Sequence, residues 1–114
     1  MSDPKTVLLV EDNEDSRALF RHVLEDRGLK VLDFADAESL PEILPAYALA
    51  LLDHQLGIGR LTGLALASRL KQQYPSVPVV VMSADIQGVS SEQVDAVVQK
   101  VGIATLLSVI DKWL

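Results

Sequence analysis

The chain has 114 residues, of which 49% are hydrophobic and 23% charged, a balance that suits one folded domain and excludes a disordered tail. A formal net charge of −6 disfavours nucleic-acid phosphates and anionic lipid, so neither direct nucleic-acid binding nor membrane association is expected. There is no cysteine, which removes disulfides and thiolate metal sites from consideration. The first five residues, MSDPK, carry no signal-peptide pattern, and no apolar run approaches the ~20 residues of a membrane span. The expected location is cytoplasmic.

Thr6–Val10 is a short apolar run rich in β-branched residues, the pattern of a strand covered on both faces, and it ends in the acids Glu11 and Asp12. A helix follows, with Leu19, Phe20, Val23 and Leu24 at helical spacing, Asn13 at its start and Gly28 where a C-terminal cap belongs. Residues 29–34 read as a second strand. Residues 37–44 read as a short helix, interrupted by Pro41 and ended by Pro45.

Residues 48–52 form the third buried strand, followed by Asp53. A loop carrying Gly57, Gly59 and Gly63 leads to a helix with Leu64, Ala67, Leu70 and Lys71, which stops near Pro75. Residues 77–82 are the fourth buried strand. Residues 96–98 have weaker strand character, and a last helix shows Ile103, Leu106, Leu107, Ile110 and Leu114 on one face. Strand and helix thus alternate throughout, which predicts a single α/β domain with a doubly wound parallel sheet and helices on both faces.

In such sheets ligands bind beyond the carboxyl ends of the strands. Glu11 and Asp12 follow the first strand, Asp53 the third, Ser83 the fourth and Lys100 the fifth, so all five are expected along that edge. Taken singly, Asp12 reads equally well as a helix cap, and Ser83 or Lys100 as an ordinary polar residue. Together, three acids on one edge repel unless a cation joins them, and oxygen ligands of this kind suit magnesium. Ionised Asp53 is a candidate nucleophile toward phosphorus. Lys100 and the Ser83 hydroxyl are candidates to stabilise the oxygens of an arriving phosphoryl group, with Ala84 leaving room for it. His22 and His54 are expected in surface or helix-face roles, since neither has a second ligand at metal spacing.

These residues resemble the receiver domain of two-component response regulators. Leu9, Val10, Glu11, Asp12 and Asn13 are similar to the family's first acidic motif, and Leu51, Leu52 and Asp53 to its phosphorylation site. Val80 to Ala84 look like its hydroxyl switch, and Val98, Gln99 and Lys100 like its lysine motif. The resemblance covers almost the whole of 1–114. It implies a flavodoxin-like five-stranded sheet of order 2-1-3-4-5. It also implies Mg2+ held by Glu11, Asp12, Asp53 and the Gln55 backbone carbonyl. Asp53 would accept phosphate from the phosphohistidine of a histidine kinase or histidine phosphotransfer protein, and Ser83 and Lys100 would read the modified state. Such a domain is a phosphoacceptor and not an enzyme acting on a separate substrate.

The chain departs from the family pattern in four places. Val101 stands where proline usually follows the lysine, so a trans peptide is expected there. Gly57 replaces a usual proline, in a loop to Gly63 that is longer than usual. Ser83 and Lys100 lie closer together than in a typical receiver, so the fourth helix, over residues 85–93, is expected to be short or missing. Val97 also takes the place of a common switch aromatic. The fourth helix, fifth strand and fifth helix usually form the family's output and dimer face, so readout through that face, including any homodimer, is expected to be altered. The alternative reading is a receiver-fold interaction module with little phosphoryl turnover. A flavin-binding flavodoxin fits poorly, because Glu11 and Asp12 stand where a hydroxyl-rich phosphate loop belongs, and an aspartate-based phosphatase, which would need its nucleophile and a second acid two residues apart after that strand, is not the preferred reading. No output domain is expected within these residues. Both a stand-alone protein and a segment of a hybrid kinase or longer regulator fit the sequence.

Overall fold

The computed structural model describes residues 5–54, 62–83, 94–99 and 102–114. Among them run β1 (Thr6–Val10), α1 (Glu14–Asp26), β2 (Lys30–Phe34), β3 (Leu49–Asp53), α2 (Gly63–Gln73), β4 (Val79–Ser83), β5 (Ala96–Gln99) and α3 (Ile103–Trp113). The five strands form one sheet of order β2-β1-β3-β4-β5, and every pairing is parallel. This is the flavodoxin-like order that the resemblance implies.

Apart from Thr6, Asp53 and Ser83 at their ends, the central strands β1, β3 and β4 are apolar because both sheet faces are covered, and residue parity divides the core in two. Leu8, Val10, Ala50, Leu52, Val79 and Val81 face Leu66, Ala67 and Leu70 of α2. Val7, Leu9, Leu49, Leu51, Val80 and Met82 face Phe20 and Leu24 of α1 and Leu106, Val109 and Ile110 of α3. Strand ends are thereby held rigidly from both sides, which fixes where the residues after them emerge.

Local chemistry sets the helix boundaries. Asn13 caps α1, its side chain accepting the Ser16 N–H at 2.8 Å. At the other end Gly28 has φ +82 and donates its N–H to Glu25 O at 2.9 Å, while Leu29 N–H reaches Leu24 O at 3.2 Å. That pair of bonds is a Schellman closure, and the positive φ suits glycine. Leu29 is used in the closure, so β2 begins at Lys30 and not at 29. β4 begins at Val79 because Val77 is still in a turn, its N–H donating to Tyr74 O at 3.1 Å. Ser83 is consequently the last residue of β4 and does not lie beyond it.

The helix expected over 37–44 does not form; residues 35–40 are bends and turns. Asp36 accepts the Ser39 N–H at 2.8 Å and Leu40 N–H reaches Ala37 O at 3.2 Å, as a helix start would. Pro41 then has no N–H to continue the ladder and disfavours helical backbone at Leu40. Ala37, Leu40, Leu44 and Tyr47 are nevertheless buried on the α2 side of the sheet. Three side chains of or just after α2 hold backbone carbonyls of this strap: Arg69 on Pro41 O at 3.2 Å, Gln73 on Glu42 O at 2.7 Å and Tyr74 on Leu44 O at 2.6 Å.

Three helices are present among the described residues. The expectation of a short or missing fourth helix falls on residues 85–93, and those of the glycine loop on Gly57 and Gly59, of the space at Ala84 and of the Lys100–Val101 peptide likewise lie outside the described residues.

Candidate functional site

The carboxyl edge of the sheet collects the acids. Glu11 follows β1 directly; its N–H extends the ladder to Phe34 O at 3.0 Å, and its carbonyl accepts Arg17 Nη1 at 2.9 Å. Backbone anchoring on both sides fixes the side chain at the strand end, where it is wholly buried. Asp12 is exposed beside it. Asn13 carries the α1 cap, so the capping role that competed for Asp12 is already filled. Asp53 ends β3 opposite Met82 and is 6% exposed.

One carboxylate oxygen from each of Glu11, Asp12 and Asp53 lies within 4.8 Å of the others. Burial is costly for an ionised carboxylate unless it is compensated. With both ionised, Glu11 and Asp53 repel by on the order of 3 kcal/mol at an effective dielectric constant of about 20. A hard divalent cation would turn that repulsion into attraction, and an all-oxygen donor set is the kind such a cation takes.

Ser83, 4% exposed, ends β4 beside Asp53's strand and pairs in register with Gln99 of β5. The two remaining sequence candidates, Gln55 and Lys100, lie outside the described residues. His22 is exposed as expected. His54 is instead half-buried with its Nδ1 enclosed, and neither histidine belongs to the acid group.

The sequence places Gly63 only in the loop that leads to the following helix. It is the first residue of α2, and its N–H donates to His54 O at 3.0 Å. A Cβ there would stand 2.5 Å from Asp53 O and 3.0 Å from the His54 Cα. Thr62 caps the same helix, accepting the Ala65 N–H at 3.2 Å. A capping residue directly ahead of an apolar helical run was a readable signal for Thr62. No local signal marks Arg17 as a holder of the Glu11 carbonyl.

Residues 7–108 match the family model for the response regulator receiver domain. The chain belongs to that family. Among curated proteins, this receiver is 38% identical over 79 residues to the nitrogen assimilation regulatory protein NtrX of Azorhizobium caulinodans, an alignment covering 68% of the chain and 17% of that protein. Among solved structures, the receiver domain of NtrX from Brucella abortus superposes with a TM-score of 0.78 at 30% identity, covering 95% of this chain and 97% of that one. The response regulator TrrA from Thermotoga maritima, in complex with Mg2+ and BeF, has a TM-score of 0.83 at 22% identity, covering 96% and 99%; it speaks for the fold alone. The receiver spans 27% of a longer Brucella abortus NtrX chain, matching that part with a TM-score of 0.84 at 29% identity.

Proposed function

We propose that this receiver accepts a phosphoryl group onto Asp53 in the presence of Mg2+. The donor is the phosphohistidine of a histidine kinase or histidine phosphotransfer protein, and the modified state signals to a partner. Residues 1–114 are read as one receiver unit working in the cytoplasm. The observation that carries this reading is the convergence of Glu11, Asp12 and Asp53 within 4.8 Å at the carboxyl edge of the sheet.

Glu11, Asp12 and Asp53 would hold the ion, with the Gln55 carbonyl as a further ligand. Bound there, magnesium would offset charge on the phosphoryl oxygens. An Asp53 carboxylate oxygen forms the new bond to phosphorus as the bond from phosphorus to the imidazole nitrogen breaks. The electron pair leaves with that nitrogen, which takes a proton from solvent, and the product is an acyl phosphate. Burial of Asp53 limits the water that competes for the group. The Ser83 hydroxyl donates a hydrogen bond to one phosphoryl oxygen, and the Lys100 ammonium pairs with another. The domain catalyses only its own phosphorylation and dephosphorylation.

Incubation with acetyl phosphate and Mg2+, followed by intact-mass measurement, tests the reading. One added phosphoryl group is expected, absent without Mg2+ and absent in Asp53→Asn. A protein that never labels, with or without Mg2+, would favour the interaction-module reading instead.

A further inference from the structure

β5 is the least specified strand of the sheet. It has four residues at the sheet's edge, and none is fully buried. Its apolar residues are consecutive: Val97 packs toward α2, while Ala96 and Val98 pack toward the α1 and α3 side. A slip of one residue would exchange valine for valine across the sheet, so hydrophobic alternation does little to choose the register. Such a slip would still move everything after Gln99 by about 3.3 Å and reverse the face on which each side chain emerges. The next residue in the chain is Lys100.

A polar contact at the start of β5 does discriminate. Asp95, one residue ahead of the strand, exchanges two hydrogen bonds with the first residue of β4. Its N–H reaches Val79 O at 2.8 Å, and its Oδ2 accepts the Val79 N–H at 2.7 Å. The same Oδ2 meets Lys71 Nζ of α2 at 2.7 Å, and that ammonium also donates to Val77 O at 2.8 Å. Both side chains are partly shielded from solvent, so the pair is screened less than one on the open surface. A slip of one residue would bring Val94 or Ala96 to that position, and neither side chain can accept the Val79 N–H.

We propose that Lys71 and Asp95 are positioning residues that clamp β5 in register against β4 and thereby deliver Lys100 to the Asp53 site. This rests on the phosphotransfer reading for Lys100, whereas the clamp itself is a property of the strand. Its loss would leave the acid group, built on β1 and β3, untouched.

The test uses Asp95→Ala, Lys71→Met and the conservative Lys71→Arg, each checked for folding by circular dichroism. Amide hydrogen exchange at Val97 and Val98 is expected to rise roughly tenfold in the first two variants, with Leu8 and Leu51 unchanged. Labelling by acetyl phosphate is expected to slow by roughly tenfold at unchanged Mg2+ affinity. Lys71→Arg retains most of the rate, and Asp95→Ala adds no further loss to Lys100→Ala. Unchanged β5 exchange would overturn the clamp. Raised exchange with a wild-type labelling rate, a parallel loss of Mg2+ affinity, or losses that add to Lys100→Ala would overturn the positioning role. Should the unaltered protein fail to label at all, the phosphotransfer reading falls, and exchange alone still decides the clamp. If Asp95→Ala does not fold, Lys71→Met carries the same readouts.

Discussion

Gly63 rests on the backbone of Asp53 so closely that a β-carbon on it would come 2.5 Å from the Asp53 carbonyl oxygen. The start of α2 and the end of β3 are thus one packed unit, and the obstructing atoms are backbone that cannot rotate aside. Gly63→Ala is expected to cost about 1–3 kcal/mol as the helix start shifts. Denaturant unfolding would register the loss, and labelling of Asp53 is expected to slow in the same variant.

Asp95 links stability to acid. Burial works against its ionisation, but the Lys71 ammonium and the Val79 N–H outweigh burial and hold the carboxyl below its ordinary value of 3.8. The unfolded chain therefore binds this proton more readily. Stability from Asp95 is present above pH 3.8 and is lost as pH falls through the lower folded value. In Asp95→Asn that portion of acid sensitivity is expected to vanish, leaving a shallower decline of unfolding free energy below pH 4 (about the carboxylate range).

Tyr47 works in the opposite direction. Burial, reinforced by the neighbouring Tyr74, pushes its phenol up to about 12; the two rings meet edge to face at 5.3 Å. The folded chain holds this proton more tightly than the unfolded one. Stability from Tyr47 is complete below pH 10 and declines from there through the folded value. An ultraviolet titration of the native protein is expected to show one tyrosine ionising late, and Tyr47→Phe removes that component.

Gly28 offers a control remote from the acids. Its φ of +82 penalises a side chain even though a β-carbon there would meet nothing within 4 Å. Gly28→Ala is expected to lower stability by about 1 kcal/mol through backbone strain alone. Thermal unfolding measures this, and phosphoryl labelling is expected to keep its unaltered rate.

Much of the fold was legible because the signals were local. The apolar runs at Thr6–Val10 and residues 48–52 have no polar face to conceal, and Asn13 and Gly28 mark the ends of α1 by their own backbone preferences. The acid group was legible for a related reason: a parallel sheet sends every strand's carboxyl end to one edge, so Glu11, Asp12 and Asp53 had to meet once the alternation was recognised. The segment over 37–44 misled because Ala37, Leu40 and Leu44 keep helical spacing and are buried, while Pro41 breaks the hydrogen-bond ladder that helix requires. The strap instead takes its bonds from Arg69, Gln73 and Tyr74, distant in sequence. Gly63 on Asp53 and Lys71 on Asp95 share that long-range character. They depend on how α2 settles against the sheet, which periodicity does not encode.

The most direct test of phosphoacceptance locates the modification itself. After labelling with acetyl phosphate and Mg2+, borohydride reduction converts an aspartyl phosphate to homoserine, and peptide mass spectrometry reads the position. Homoserine at residue 53, dependent on Mg2+, is the expected result. Homoserine at another residue, or none in a protein that remains folded, would contradict the assignment of Asp53.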